Sequence, residues 1–145
     1  MQKLILVKGQ GGKTYNRRSE DHVANYFQYS DAEWDRGKAK MTAILQAVAA
    51  RRGMIAYSDL SNLMTTLRIE AFGLPMSEML GEIAEAVDDA GRGLLTVIVV
   101  HKAGDQEPGD GFYEMAEKRG RNVSDRMTLW VTEFKKVHDY WANRA

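Results

Sequence analysis

The stretch "LLTVIVVHKAGDQEPGDG", residues 94–111, decides how the chain is read. From Leu94 to Val100 every residue is apolar or β-branched, the composition and length of a strand buried on both faces. A strand over 94–102 cannot run further. Pro108 and the glycines at 104, 109 and 111 break regular structure in the loop that follows. Past that loop the spacing predicts a short helix from Phe112 to Arg119, with Asp110 as its cap.

Working back from the strand, an amphipathic helix is expected from Pro75, a favoured first-turn residue, to Gly91. Met76, Met79, Leu80, Ile83 and Val87 form its apolar stripe. Before it, "MIAY" at 54–57 reads as a short extended segment, and Ser58 as the cap of a helix carrying Leu60, Leu63, Met64 and Leu67. Earlier still, "SDAE" at 30–33 is a capping box, with Ser30 and Glu33 exchanging backbone hydrogen bonds. Trp34, Met41, Ile44, Leu45 and Val48 recur behind it at helical spacing until Gly53. At the other end Ser124 is the expected cap of a last helix. Its buried face reads Met127, Trp130, Val131, Phe134, Val137 and Trp141, against the core or across a homodimer seam. The fold class is α+β and mostly helical, in one globular unit. An N-terminal strand and basic arm occupy 1–30, the core 31–122 and the C-terminal helix 123–145.

Composition sets the limits. With 145 residues, 44% apolar and 28% charged, the chain suits one globular domain with a sizeable core. Twenty basic residues balance twenty acidic ones, so no global field draws nucleic acid or an anionic membrane. The charge is blocked nonetheless: residues 1–18 are purely basic, and 53–93 hold seven acids against Arg68 and Arg92. Cysteine is absent, which excludes disulfides, thiolate zinc sites and a cysteine nucleophile and fits a reducing cytoplasm. The apolar run at 4–7 is too short for a signal-peptide core or a membrane span, so a cytoplasmic protein without a membrane partner is expected.

Signatures of catalysis fail one by one. "KGQGGKT" at 8–14 ends like a P-loop, but Val7 stands where G-x-x-x-x-G-K-[ST] needs glycine. The spelling is closer to the variant loop of partition-type ATPases, with Gln10 in place of a glycine. It leads into "YNRRSEDH", a poor helix start for holding phosphate. His22, His101 and His138 have no metal-ligand spacing. Asp105, Glu107 and Asp110 near His101 read as turn acids, and an acid for a D/E-x-K nuclease strand is missing at Val100. No G-x-S-x-G elbow occurs. The expectation is a non-enzymatic protein with no cofactor and no metal.

The order helix, short strand, helix, helix, strand and Gly/Pro-rich loop over about residues 33 to 113 resembles a winged helix-turn-helix domain. The resemblance makes the helix from Pro75 the recognition helix and 94–111 the strand and wing. The segment "GLLTVIVVHKAGDQEPGDGFYEMAEKRG" is also similar to one in uncharacterised bacterial proteins of mobile-element, phage and defence type, which implies a setting and no activity. The winged-helix resemblance implies binding to duplex DNA. The recognition helix presents Glu78, Glu82, Glu85, Asp88 and Asp89, which phosphate repels, so DNA contact falls to other residues. These are Lys13, Arg17 and Arg18 of the arm and Lys102, Lys118, Arg119, Arg121 and Arg126 around and beyond the wing. The alternative expectation is a protein–protein adaptor or inhibitor whose acidic helix face meets a basic partner. Fold analogy favours DNA.

Overall fold

In the structure, a computed structural model, residues 28–102, 104 and 106–144 are described. The apolar run is buried from end to end: no residue from Leu94 to Val100 is more than 6% exposed. Backbone groups buried this way must find partners inside the protein. Only Val99–Val100 does so as a strand (β2). It pairs in parallel with Ile55–Ala56 (β1), Ile55 opposite Val99 and Ala56 opposite Val100. β1 cannot lengthen, because the chain turns into helix α2 (Tyr57–Leu63) at the next residue. The upstream half of the run therefore has no strand beside it and closes its hydrogen bonds locally. Leu95–Ile98 is a 3-10 turn, with the Val97 N–H donating to the Leu94 carbonyl at 3.0 Å. The strand expected over 94–102 is thus shortened to two residues by the length of its partner.

Two long helices pack on this turn. α3 (Leu74–Asp89) carries Pro75 in its first turn, buries Met76, Met79, Leu80, Ile83 and Val87 as expected, and adds Ala84. It ends at Gly91, whose φ of +78° permits the Arg92 N–H to reach the Val87 carbonyl at 3.1 Å. α5 (Arg126–Ala142) packs on the same turn, and its Trp130 indole N–H donates to the Val97 carbonyl at 3.4 Å. The short helix is present as α4 (Asp110–Lys118). Between β2 and α4 the loop is closed by the His101 N–H donating to the Glu107 carbonyl at 2.9 Å. Among the described residues the sheet has two strands, and no third strand pairs to form a wing.

Helix α1 (Asp31–Ala50) opens with the expected capping box. The Ser30 N–H donates to Glu33 at 2.8 Å and the Glu33 N–H to the Ser30 hydroxyl at 3.0 Å, which holds the Glu33 carboxyl below its usual range. Three other caps differ from expectation. α2 starts one residue before Ser58, and α4 takes Asp110 as its first residue with Gly109 in the cap position. α5 is capped by Asp125 rather than Ser124, because Asp125 is the residue three positions before Thr128, from whose N–H and hydroxyl it accepts. The chain divides into two compact units, Met1–Gly37 and Lys38–Ala145. The division falls inside α1. Among the described residues no helix is long and apolar enough to cross a membrane.

The phase of α5 also differs from expectation. Leu129, Glu133, Val137 and His138 are buried, Trp130, Phe134 and Trp141 lie half-buried beside them, and Met127 and Val131 are exposed. The displaced stripe follows from Glu133: a carboxylate occupies a core position that hydropathy assigns to the surface. Replacing Val131 by Ser should therefore move stability by no more than about 0.5 kcal/mol in a urea titration. Ile98→Ala, in the centre of the buried run, should cost about 3 kcal/mol from lost transfer energy and a cavity.

Candidate functional site

Two sets of residues were expected to face partners, and the structure brings members of both together. Asp88, at the end of α3, is only 12% exposed and accepts from both terminal nitrogens of Arg121 at 2.8 Å. It also accepts from Arg119 Nε at 2.7 Å, and Arg119 bonds Asp89 as well. Arg121 Nε lies 3.6 Å from Glu133, whose side chain is 3% exposed and also receives Lys136 Nζ at 3.3 Å. Farther along, Arg126 pairs with Asp110 at 2.9 Å and lies 4.4 Å over the Tyr113 ring. Lys102 pairs with Asp59 at 3.2 Å, and Glu82 with Lys38 at 2.9 Å. Lys118, Glu78 and Glu85 are exposed without an ion-pair partner among the described residues. Lys13, Arg17 and Arg18 lie outside the described residues. Among the described residues, most of the charge assigned to DNA or to a protein partner is thus engaged within the chain, and the pairs of Arg119 and Arg121 tie α3, the segment after α4 and α5 together.

The open part of the surface lies elsewhere. A cleft of about 180 Å³ is bordered by the first turns of α3 and α4, the start of α2 and the 3-10 turn. Its apolar wall is Phe72, Met76, Leu80, Phe112 and Met115. Phe72 is 67% exposed, with its ring 5.5 Å from that of Tyr57, and Tyr57 lies 5.7 Å from the His101 ring. The polar groups are Tyr57, Ser77, Thr96 and His101, and the lining includes no Asp, Glu, Lys or Arg. Tyr57 accepts from the Gly109 N–H at 3.0 Å, which fixes the start of α4 against the start of α2. Burial pushes the Tyr57 phenol up, only partly offset by that N–H, so it stays neutral with its O–H hydrogen available to donate.

No family model, curated protein or solved structure matches the chain. The chemistry of the site therefore rests on its geometry. With hydroxyls, rings, the His101 imidazole and two helix starts in its lining, the cleft offers groups that can hold a ligand. Among the described residues no cluster of His, Asp and Glu is arranged to hold a metal ion.

The sequence places Met76 and Leu80 on a helix stripe, Phe112 at a helix start and His101 in a wing, and assigns none of the cleft residues to a binding site. One signal was present: glycines in "FGLP" and "PGDG" stand at the cap positions of α3 and α4, where Ser, Thr, Asp or Asn would satisfy the helix. Neither helix has a side-chain cap.

The ion network makes its own predictions. Arg121→Ala leaves Asp88 with Arg119 alone and Glu133 with Lys136 alone and should cost about 3 kcal/mol, at the low end for a buried pair because those partners remain and Arg121 keeps 21% exposure. The Asp88 carboxyl is held below its ordinary 3.8, chiefly by the Arg121 hydrogen bonds, against the opposing cost of burial, with Arg119 adding to the lowering. Its contribution is complete above that ordinary value and is lost as pH falls through the lowered one. The stability gap between the wild type and Asp88→Asn should therefore be constant above pH ~5 and close as pH falls below ~4, measured by denaturant titrations across pH.

Proposed function

We propose that this chain is a non-enzymatic binding domain whose site is the cleft between the first turns of α3 and α4. Gly81 carries the reading. It lies in the middle of α3, where glycine costs about 1 kcal/mol relative to alanine. Its backbone is not in the left-handed region, and a Cβ built there meets nothing within 4 Å. Neither conformation nor packing calls for glycine, and Gly81 lines the cleft. Gly111, near the start of α4, is alike: an added Cβ comes only to 3.7 Å of the Ser77 hydroxyl, an ordinary contact, and it too borders the cleft. What the two glycines have in common is the space they leave open.

The charge pairing counts against duplex DNA as the main partner. Each phosphate contact by Arg119 or Arg121 would leave a carboxylate of Asp88 or Glu133 behind in the interior, a cost that nonspecific binding does not recover. On this reading, replacing these arginines lowers folding stability and has no separate effect on duplex affinity.

Gly81→Ala should raise stability by about 0.5–1 kcal/mol, and Gly81→Leu should fold at least as well as the wild type while filling the cleft. In a thermal-shift screen of single-ring fragments, compounds that stabilise the wild type should lose their effect on Gly81→Leu. Fragments that stabilise both proteins equally would place the binding surface elsewhere and overturn the reading.

A further inference from the structure

We propose that the cleft takes a carboxylate attached to a ring or a branched apolar group, an inference that rests on the cleft being the binding site. The ligand's charged end is read from what surrounds Thr96. This residue is 6% exposed and lines the cleft, and its hydroxyl has no hydrogen-bond partner among the described residues. It is not among the sealed, unpaired polar atoms of the interior, so it opens on the cleft. Its hydroxyl is satisfied either by water or by a ligand atom that enters the cleft and displaces it. Ser77, exposed in the first turn of α3, also lines the cleft and has no hydrogen-bond partner for its hydroxyl among the described residues, and Tyr57 keeps its O–H hydrogen to donate.

The backbone adds to these donors. α3 and α4 both begin at the cleft, and both begin at a glycine without a side-chain cap. Pro75 has no N–H and the Phe112 N–H donates to the Gly109 carbonyl, so the Met76 and Gly111 N–H groups are the ones left for a negative group, with the Asp110 carboxylate drawn off by Arg126. The lining holds no Asp, Glu, Lys or Arg, so the positive potential of the two helix starts is what a ligand's charge meets, and a singly charged carboxylate matches it. A phosphate dianion would call for the Arg or Lys fork that the lining lacks. The remaining wall is Phe72, Phe112 and Leu80, with the exposed Phe72 face offering a ring to stack against. About 180 Å³ accommodates one six-membered ring with a short acid arm, given that a cavity of roughly 150 Å³ holds benzene.

Calorimetry on the full chain tests this with two matched pairs: phenylacetate against phenylacetamide, and N-acetylphenylalanine against its amide. Each acid should bind at least about tenfold more tightly than its amide, the value of one charge-assisted hydrogen bond. Thr96→Val and Ser77→Ala should remove that preference. Thr96→Val should melt no lower than the wild type, which a merely structural role for the hydroxyl would not allow. The source of the carboxylate is told by which acid wins. Tighter binding of N-acetylphenylalanine points to the C-terminal residue of a polypeptide, and tighter binding of phenylacetate to a free small acid. Equal binding of acid and amide, or binding of neither while neutral ring fragments still bind in the cleft, overturns the carboxylate and leaves the cleft reading standing. If neutral fragments also fail to bind, both fall.

Discussion

The burial of Leu94–Val100 is the constraint on which the rest of the structure depends. Seven residues with almost no access to water must pair their backbone groups, and the chain offers them one two-residue partner strand. The 3-10 turn is what remains when a β-rich sequence runs out of neighbour. Because the turn is compact, α3 and α5 can both pack on it. Thr96 lies on this turn and borders the cleft, so the same constraint that forms the core sets one wall of the site.

A second layer of order comes from charge. Asp88, Arg119, Arg121 and Glu133 form a chain of pairs from the end of α3 through the segment after α4 into α5. Buried carboxylates are tolerable only with such partners, and the geometry with Arg121 engaging Asp88 through both terminal nitrogens is the favourable one. These contacts also explain why a chain with blocks of opposite charge need not present them to partners. The basic segment 118–126 and the acidic end of α3 are distant in sequence and adjacent in space.

Much of the secondary structure was legible in the sequence, because helices announce themselves locally. The Ser30–Glu33 box, the Met76–Val87 stripe with Gly91 at its end, and the short helix behind Pro108-Gly109 all depend on neighbours within a few residues. The strand was misjudged because its length is set by Ile55–Ala56, more than forty residues earlier. The face of α5 was misjudged because Glu133 is buried by virtue of Arg121, a pairing that no hydropathy pattern records. The cleft was invisible for the same reason. Its parts come from Tyr57, Phe72, Gly81, Thr96 and Gly109, none of which carries a motif, and only folding brings them together.

The proposed binding site is space left open rather than charge displayed. Its most direct test is an amide-resolved NMR titration of the uniformly labelled chain with phenol, a neutral ring that needs no assumption about the ligand's charge. Saturable shifts should concentrate on the amides of Gly81, Gly109 and Gly111 and on the residues that flank them. Shifts gathered instead on the exposed Met127–Val131 face of α5, or spread without saturation over the whole surface, would contradict it.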